Sequence, residues 1–438
     1  MARNPLHLFE AYGIELEYMV VDRETLAVRP IVDELLREAM ALPGARIDEE
    51  DEEDPAWPGT VEFDDVSWSN ELVLHVLEFK TTMPVGSLEG VDEVFASHVR
   101  RANEMLASHG AMLMPTGMHP TMDPYREMRL WPHGYSDVYE AFNAIFDCRG
   151  HGWANLQSAH LNLPFGSWEK DGDEFGRLHA AVRAVLPIMA ALSASTPIMD
   201  GRVTGMLDTR LEVYRTNSRR IPQAAGLVIP EAVYTKGEYE RRIFERIYAA
   251  MAPLDPKGVL RNEFANARGA IARFVRNSIE VRVLDVQECP RADAAVIAMV
   301  CGAVRMLCDV SGEESRRLRA LPVHSMHTIL LDVIRAGERA VVDDEEYLGV
   351  WGYPGTRCTA QELWQYLRER MAKGVDLTPH AESVDILLSK GPLSRRIARS
   401  LGLSLDRGMA SPVVRARVDE VYRDLARCLA QNKMFQPD

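Results

Sequence analysis

The sequence predicts an α+β fold: an antiparallel β-sheet with one polar face, helices packed on its other face, and a mainly helical part after about residue 300. Three observations predict it. Short segments with period-2 alternation recur up to about residue 290, helical stretches separate them, and in each strand the polar residues fall on one face while aliphatic residues take the other.

The elements follow in order. "GIELEYMVVD" (13–22) reads as a strand, "PIVDELLREAMAL" (30–42) has helical spacing, and "NELVLHVLEFKTT" (70–82) reads as a second strand. "SLEGVDEVFASHVRRANEMLASHG" opens on Ser87 as a helix start, and "AMLMPTGMHP" (111–120) reads as a strand. A helix from 137 leads into the strand "NLQSAHLNLPFG" (155–166), and 174–196 reads as a helix rich in alanine and leucine. "GEYERRIFERIYAAM" is an amphipathic helix, and "SIEVRVLDV" (278–286) is a strand with β-branched residues at its apolar positions. No internal repeat and no low-complexity linker divides the 438 residues, so one domain is expected, with a core over about 10–300.

Composition excludes several classes. At 47% hydrophobic and 26% charged residues the chain sits with ordinary globular proteins, folding alone or as a homo-oligomer. A net charge of -15 argues against nucleic acid as a partner, because such binders need basic faces to release counterions. The run "DEEDEED" at 48–54 carries part of that charge and reads as a solvated loop, since like charges repel and resist burial. Six cysteines without a C-x-x-C pair indicate reduced, cytoplasmic thiols rather than a zinc cluster or a disulfide framework. The N-terminus lacks an apolar signal core, and "AAVIAMVCGAVRMLC" (294–308) is too short to span a bilayer and contains Arg305, so no membrane segment is expected.

The strands share a grammar. Residues i and i+2 lie on one face, so Glu15 and Glu17 point together, Ser158, His160 and Asn162 point together, and Glu280 lies beside Arg282. In "LVLHVLEFKTT", Glu78 and Lys80 continue the face of Leu72, Leu74 and Val76, while Glu71 is off that face by parity and joins it only across a bulge or from the strand's entry. Singly, each pattern also suits a solvent-facing pair or a satisfied histidine. On one antiparallel sheet they would make a wet face of clustered carboxylates, whose mutual repulsion raises their pKa values unless cations neutralise them. Hard oxygen ligands with one imidazole suit Mg²⁺ or Mn²⁺, whose usual task beside carboxylates is to hold nucleotide phosphates.

Taken in order, "GIELEY", "NELVLHVLEFKTTMP", "TGMHP", "QSAHLNLPFG", "PIMAALSASTPIMDGRVTGMLDTR" and "SIEVRVLDVQECPRADAAV" resemble the glutamate–cysteine ligase family, in particular its second type, the bacterial carboxylate–amine ligases. The resemblance covers about 13–300. It implies a glutamine synthetase-like curved antiparallel sheet and an ATP-dependent ligase. Glutamate's γ-carboxylate takes a phosphoryl group from ATP to give an acyl phosphate and ADP, and an amine, cysteine among the candidates, then displaces phosphate. Carried onto this sequence, the metal ligands for Mg²⁺ or Mn²⁺ are Glu15, Glu17, Glu71, Glu78, His160 and Glu280. Arg282 and Arg149 would act in catalysis, and Arg210, Arg268 and Arg273 would contact substrate or ATP.

The sequence departs from the family at Met118, where threonine is usual, which takes support from a role for His119. Two other readings remain open: a guanidine or amine kinase-like phosphotransferase, because those kinases share a related catalytic domain, and an inactive substrate-binding relative.

Overall fold

The computed structural model describes residues 5–48, 56–371, 376–403 and 411–437; all of the acidic run but Asp48 lies outside them. Nine strands form the main sheet: β1 (Gly13–Asp22), β2 (Arg46–Ile47), β3 (Thr60–Glu62), β4 (Val66–Asn70), β5 (Val76–Thr81), β6 (Ala111–Met114), β7 (Ser158–Pro164), and, after the small ribbon of β8 (Ile198–Met199) and β9 (Arg202–Val203), β10 (Ala270–Arg273) and β11 (Ser278–Asp285). Their spatial order is β10-β11-β7-β1-β5-β4-β3-β2, with β6 continuing along β1 beyond β7, and every pairing is antiparallel.

Alternation and register together make the two faces. Ile14, Leu16, Tyr18, Leu77, Phe79, Leu161, Leu163, Ile279 and Val281 are buried in the main apolar cluster. The helices Val91–Ala107, Gly172–Val185 and Pro290–Cys308 contribute to the same cluster. Burying each such large side chain stabilises the fold by about 1.5–3 kcal/mol, which makes a one-residue register slip prohibitive. Helix Pro290–Cys308, the long apolar stretch of the sequence, is buried on nearly every side, so its hydrophobicity serves the core. Among the described residues no helix is long and apolar enough to cross a membrane.

Several local expectations are corrected. The stretch 70–82 is not one strand: β4 ends at Asn70, β5 starts at Val76, and a turn closed by Val76 N–H on Val73 O intervenes. The helix expected from Ser87 begins at Val91 behind Gly90, whose φ of +78° suits glycine, while Ser87 Oγ accepts from Glu89 N–H in the preceding turn. The 174–196 helix breaks around Pro187, which lacks the N–H the ladder needs, into Gly172–Val185 and Ala190–Ser193. Helix 237–252 carries a π-type turn at Glu240–Phe244.

Candidate functional site

The polar face is assembled by register. Across β1, Glu15 lies between His160 of β7 and Lys80 of β5, and Glu17 lies opposite Glu78; on β11, Glu280 lies opposite Asn162. Gly13 explains its place in "GIELEY": a Cβ there would meet Asn162 Cβ at 2.9 Å, so the glycine lets the Asn162 side chain lie flat toward Glu15.

Hydrogen bonds fix the acids. His160 Nδ1 lies 2.8 Å from Glu15 Oε2, and Asn162 Nδ2 donates to Glu15 Oε1 at 3.0 Å. Glu17 Oε2 accepts from Ser158 N–H at 2.7 Å and from Ser158 Oγ at 3.0 Å, and Ser69 Oγ donates to Glu78 Oε2 at 2.7 Å. Two groups of donor atoms come within 4.8 Å of one another, Glu15–Glu78–His160 and Glu17–Glu71–Glu78. Glu71 reaches this cluster from the turn after β4, where strand parity no longer governs it, and its own Oε2 accepts from Leu72 N–H at 3.3 Å.

The electrostatics are those of crowded acids. Burial and the charges of Glu17 and Glu78 hold Glu71 well above the ordinary carboxylate range. Burial and Glu15 push Glu78 up to about 7, with Lys80, 3.9 Å away, opposing only in part. Burial would also raise Glu15, but the hydrogen bond and charge of His160 win and hold it at about 2. His160 in turn, which burial would lower, is lifted to about 9 by Glu15 and Glu17. Oxygen donors with one imidazole, two of the acids resisting ionisation until a cation arrives, fit Mg²⁺ or Mn²⁺.

Glu280 stands apart from both groups. Arg273 Nη1 donates to its Oε2 at 2.7 Å, and Arg282 donates to its Oε1 through Nε at 3.1 Å, with Nη2 at 2.9 Å. These two arginines, Glu17, Glu71 and His160 border a cavity of about 350 Å³.

The other arginines fare differently. Arg210 lines the cavity but is 2% exposed; its Nη1 donates to Asp285 and Val283 O and its Nη2 to Arg282 O, which ties down a bulge in β11, while its Nε has no hydrogen-bond partner among the described residues. Arg268, buried, spends Nε and Nη2 on Glu231 and Nη1 on Gln223 O, Ala224 O and Asn266, and does not line the cavity. Arg149 is an exposed partner of Asp147 and does not line the cavity. His119 bonds backbone through both ring nitrogens, to Leu26 O and Thr121 N–H. In "TGMHP" the glycine matters: a Cβ on Gly117 would meet Asp285 Cγ at 2.7 Å and Arg210 Cδ at 2.9 Å.

Sequence reasoning missed the cavity's aromatic wall: Tyr139, Phe142 and Phe146 of helix Ser136–Phe146, with Tyr135, Trp153 and Phe264. The i, i+3, i+7 spacing of 139, 142 and 146 was the available signal.

These features define a class: a mixed α and β protein with a mostly antiparallel sheet that gathers acids, a histidine and arginines at the floor of a cavity. The model of Glutamate-cysteine ligase family 2 matches residues 11–408, and the chain belongs to that family. It is 29% identical over 430 residues to an uncharacterized protein of Archaeoglobus fulgidus, covering 97% of this chain and 99% of that one. It is 26% identical over 395 residues to a Bradyrhizobium sp. (strain BTAi1) protein named "Putative glutamate--cysteine ligase 2", covering 86% and 78%. The fold is similar to that of the Francisella tularensis glutamate–cysteine ligase solved in complex with AMP, with a TM-score of 0.61 at 12% identity over 98% of this chain and 90% of that chain.

Proposed function

We propose that the protein is an ATP-dependent carboxylate–amine ligase that joins glutamate's γ-carboxylate to an amine. The observation that carries this is the juxtaposition of the acid–histidine cluster with Arg273 and Arg282 at one cavity floor. Glu15, Glu17, Glu71, Glu78 and His160 would hold Mg²⁺ or Mn²⁺, with Glu280 joining them if its arginines turn to substrate. The metal would neutralise phosphate oxygens beside the incoming carboxylate.

The chain's own residues then do the positioning. Arg282 and Arg273 orient the transferring phosphoryl group, whose charge spreads over its oxygens as the bond to ADP breaks and the bond to the γ-carboxylate forms. The amine nitrogen next attacks the acyl carbon, the bond from that carbon to the phosphate oxygen breaks, and the amine's proton passes to the departing phosphate or to a nearby carboxylate. The sheet is read as the glutamine synthetase-like curved sheet in one ligase domain. The free cysteines fit a reducing cytoplasm.

The test is ADP release with Mg²⁺, ATP, glutamate and a panel of amines, with the mass of the product. An amide appearing with ADP supports the ligase; a phosphorylated amine would make it a kinase. Glu17→Gln is expected to abolish turnover while the protein stays folded.

A further inference from the structure

Four side chains alternate in charge along one edge of the site: Glu263, Arg273, Glu280 and Arg282. Glu280 is buried, and both its oxygens are engaged, Oε2 by Arg273 Nη1 and Oε1 by Nε and Nη2 of Arg282. A guanidinium on each oxygen repels a divalent cation at the same carboxylate. Glu280 therefore joins the metal ligands only when one arginine gives way.

The two arginines are tied differently. Arg282 lies two residues along the same strand and grips Oε1 through two nitrogens, at 3.1 and 2.9 Å, and no second carboxylate pairs with it among the described residues. Arg273, on β10, gives Glu280 one N–H, from Nη1 at 2.7 Å. Its Nε is buried without a hydrogen-bond partner, and Glu263 Oε2 lies 3.7 Å from it, just beyond bonding distance. An unmet buried donor raises the free energy of this arrangement, and a small turn of the guanidinium would meet it.

Glu263 is placed to receive that turn. It opens the single 3₁₀ turn Glu263–Ala265, whose Phe264 and Ala265 line the cavity, and its Oε1 accepts from Phe274 N–H at 2.9 Å. Phe274 follows Arg273 in the chain, so the backbone that carries the arginine also holds the carboxylate beside it. Burial raises Glu263 and the Arg273 charge opposes that, the sign of a carboxylate that gains from a nearer guanidinium.

We propose that Glu263 is a positioning residue: when a divalent cation takes Glu280 Oε2, Arg273 moves its Nε onto Glu263 Oε2 and keeps both Nη groups for the phosphoryl oxygens. The cation and the phosphate rest on the ligase reading above. Without Glu263 the displaced guanidinium has no carboxylate to go to, so it stays on Glu280 and competes with the cation.

The experiment is a calorimetric titration of the full chain with Mn²⁺, following the Mn²⁺ equivalent that Glu280→Gln removes. Glu263→Gln is expected to weaken that site about tenfold, while Glu263→Asp, which keeps the charge, stays within about threefold. In an Arg273→Gln background Glu280 has no Arg273 to shed, and there Glu263→Gln should change the affinity by less than about twofold. Circular dichroism and the thermal midpoint check that each variant folds. Unchanged Mn²⁺ affinity in Glu263→Gln overturns the proposal and leaves the ligase standing, since ADP release with an amide product tests that separately. A tenfold loss that persists without Arg273 also overturns it, because Glu263 would then act by its charge or packing alone. Absence of any Mn²⁺ equivalent that depends on Glu280 overturns it together with the place of Glu280 among the ligands.

Discussion

Two arginine–carboxylate pairs stand along β11 and do different things. Asp285 is fully buried and accepts from Ser195 N–H at 2.8 Å, Ser195 Oγ at 3.1 Å, Thr196 Oγ1 at 3.0 Å and Arg210 Nη1 at 3.2 Å. Arg210 in turn grips the carbonyls of Arg282 and Val283, where β11 carries one extra residue against β7 between the pairs Val281–Leu161 and Leu284–Ala159. Glu280, by contrast, is held by Arg273 and Arg282 at a cavity wall, and the Arg282 side chain keeps 22% of its surface exposed against 2% for Arg210. Surroundings, not residue type, decide: donors spent on backbone brace the strand, and donors facing a cavity remain to meet a ligand. The inner pair also serves the outer one, because it fixes the bulge that aims Arg282.

The largest expected effect breaks the inner pair. Asp285→Ala leaves the Arg210 charge buried without its carboxylate, a change that costs about 3–5 kcal/mol and lowers the thermal midpoint by several degrees. An unchanged midpoint would remove Asp285 from the framework and erase the contrast. Next, Arg282→Ala should cut kcat by about 10²–10³, or roughly 2.7–4 kcal/mol of charge stabilisation, with little change in the midpoint. A loss of stability as large as that of Asp285→Ala would make Arg282 a second brace rather than a phosphate contact.

How much of this was legible follows from the same contrast. Alternation put Glu15 with Glu17 and His160 with Asn162, because a strand's period is local and needs only the sequence. Glu71 was harder, since its approach depends on a turn between β4 and β5 that the strand-like run "LVLHVL" at 72–77 concealed. The arginines were least legible: Arg210, Arg268 and Arg282 have the same side chain, and only partners distant in sequence, such as Asp285 for Arg210 and Glu231 for Arg268, tell a brace from a free hand. The aromatic wall was visible as helical spacing but looks like any core-facing stripe until the cavity beside it is known.

The acid cluster offers a pH test of the outer site. Protons compete with a metal for Glu78, which is raised to about 7 chiefly by burial and Glu15, so Mg²⁺ affinity should climb as pH rises toward 7. Each proton displaced contributes about tenfold per pH unit, or about 1.4 kcal/mol. His160, held at about 9 by Glu15 and Glu17 against the effect of burial, must lose its proton before a ring nitrogen can ligate. Glu71, also raised, titrates into the same range, so the comparison is made in Glu71→Gln: if His160 ligates, affinity there continues to rise up to about pH 9; a plateau near 7 in a calorimetric titration would leave His160 as the imidazolium partner of Glu15 instead.

The smallest expected effect is at Arg149. Its guanidinium and the Asp147 carboxylate are each 60% exposed and bond each other, Nε to Oδ1 at 2.8 Å. Water screens such a pair and two side chains must be ordered to form it, so Arg149→Ala should leave turnover within about twofold. The expected catalytic role for Arg149 requires it to swing from the exposed end of helix Ser136–Phe146 into the cavity when substrate binds. A loss of kcat beyond about tenfold, comparable with removing a contact made in the transition state, would show that it does, and the line drawn here between spent and available arginines would then have to include a third kind that exposure alone does not reveal.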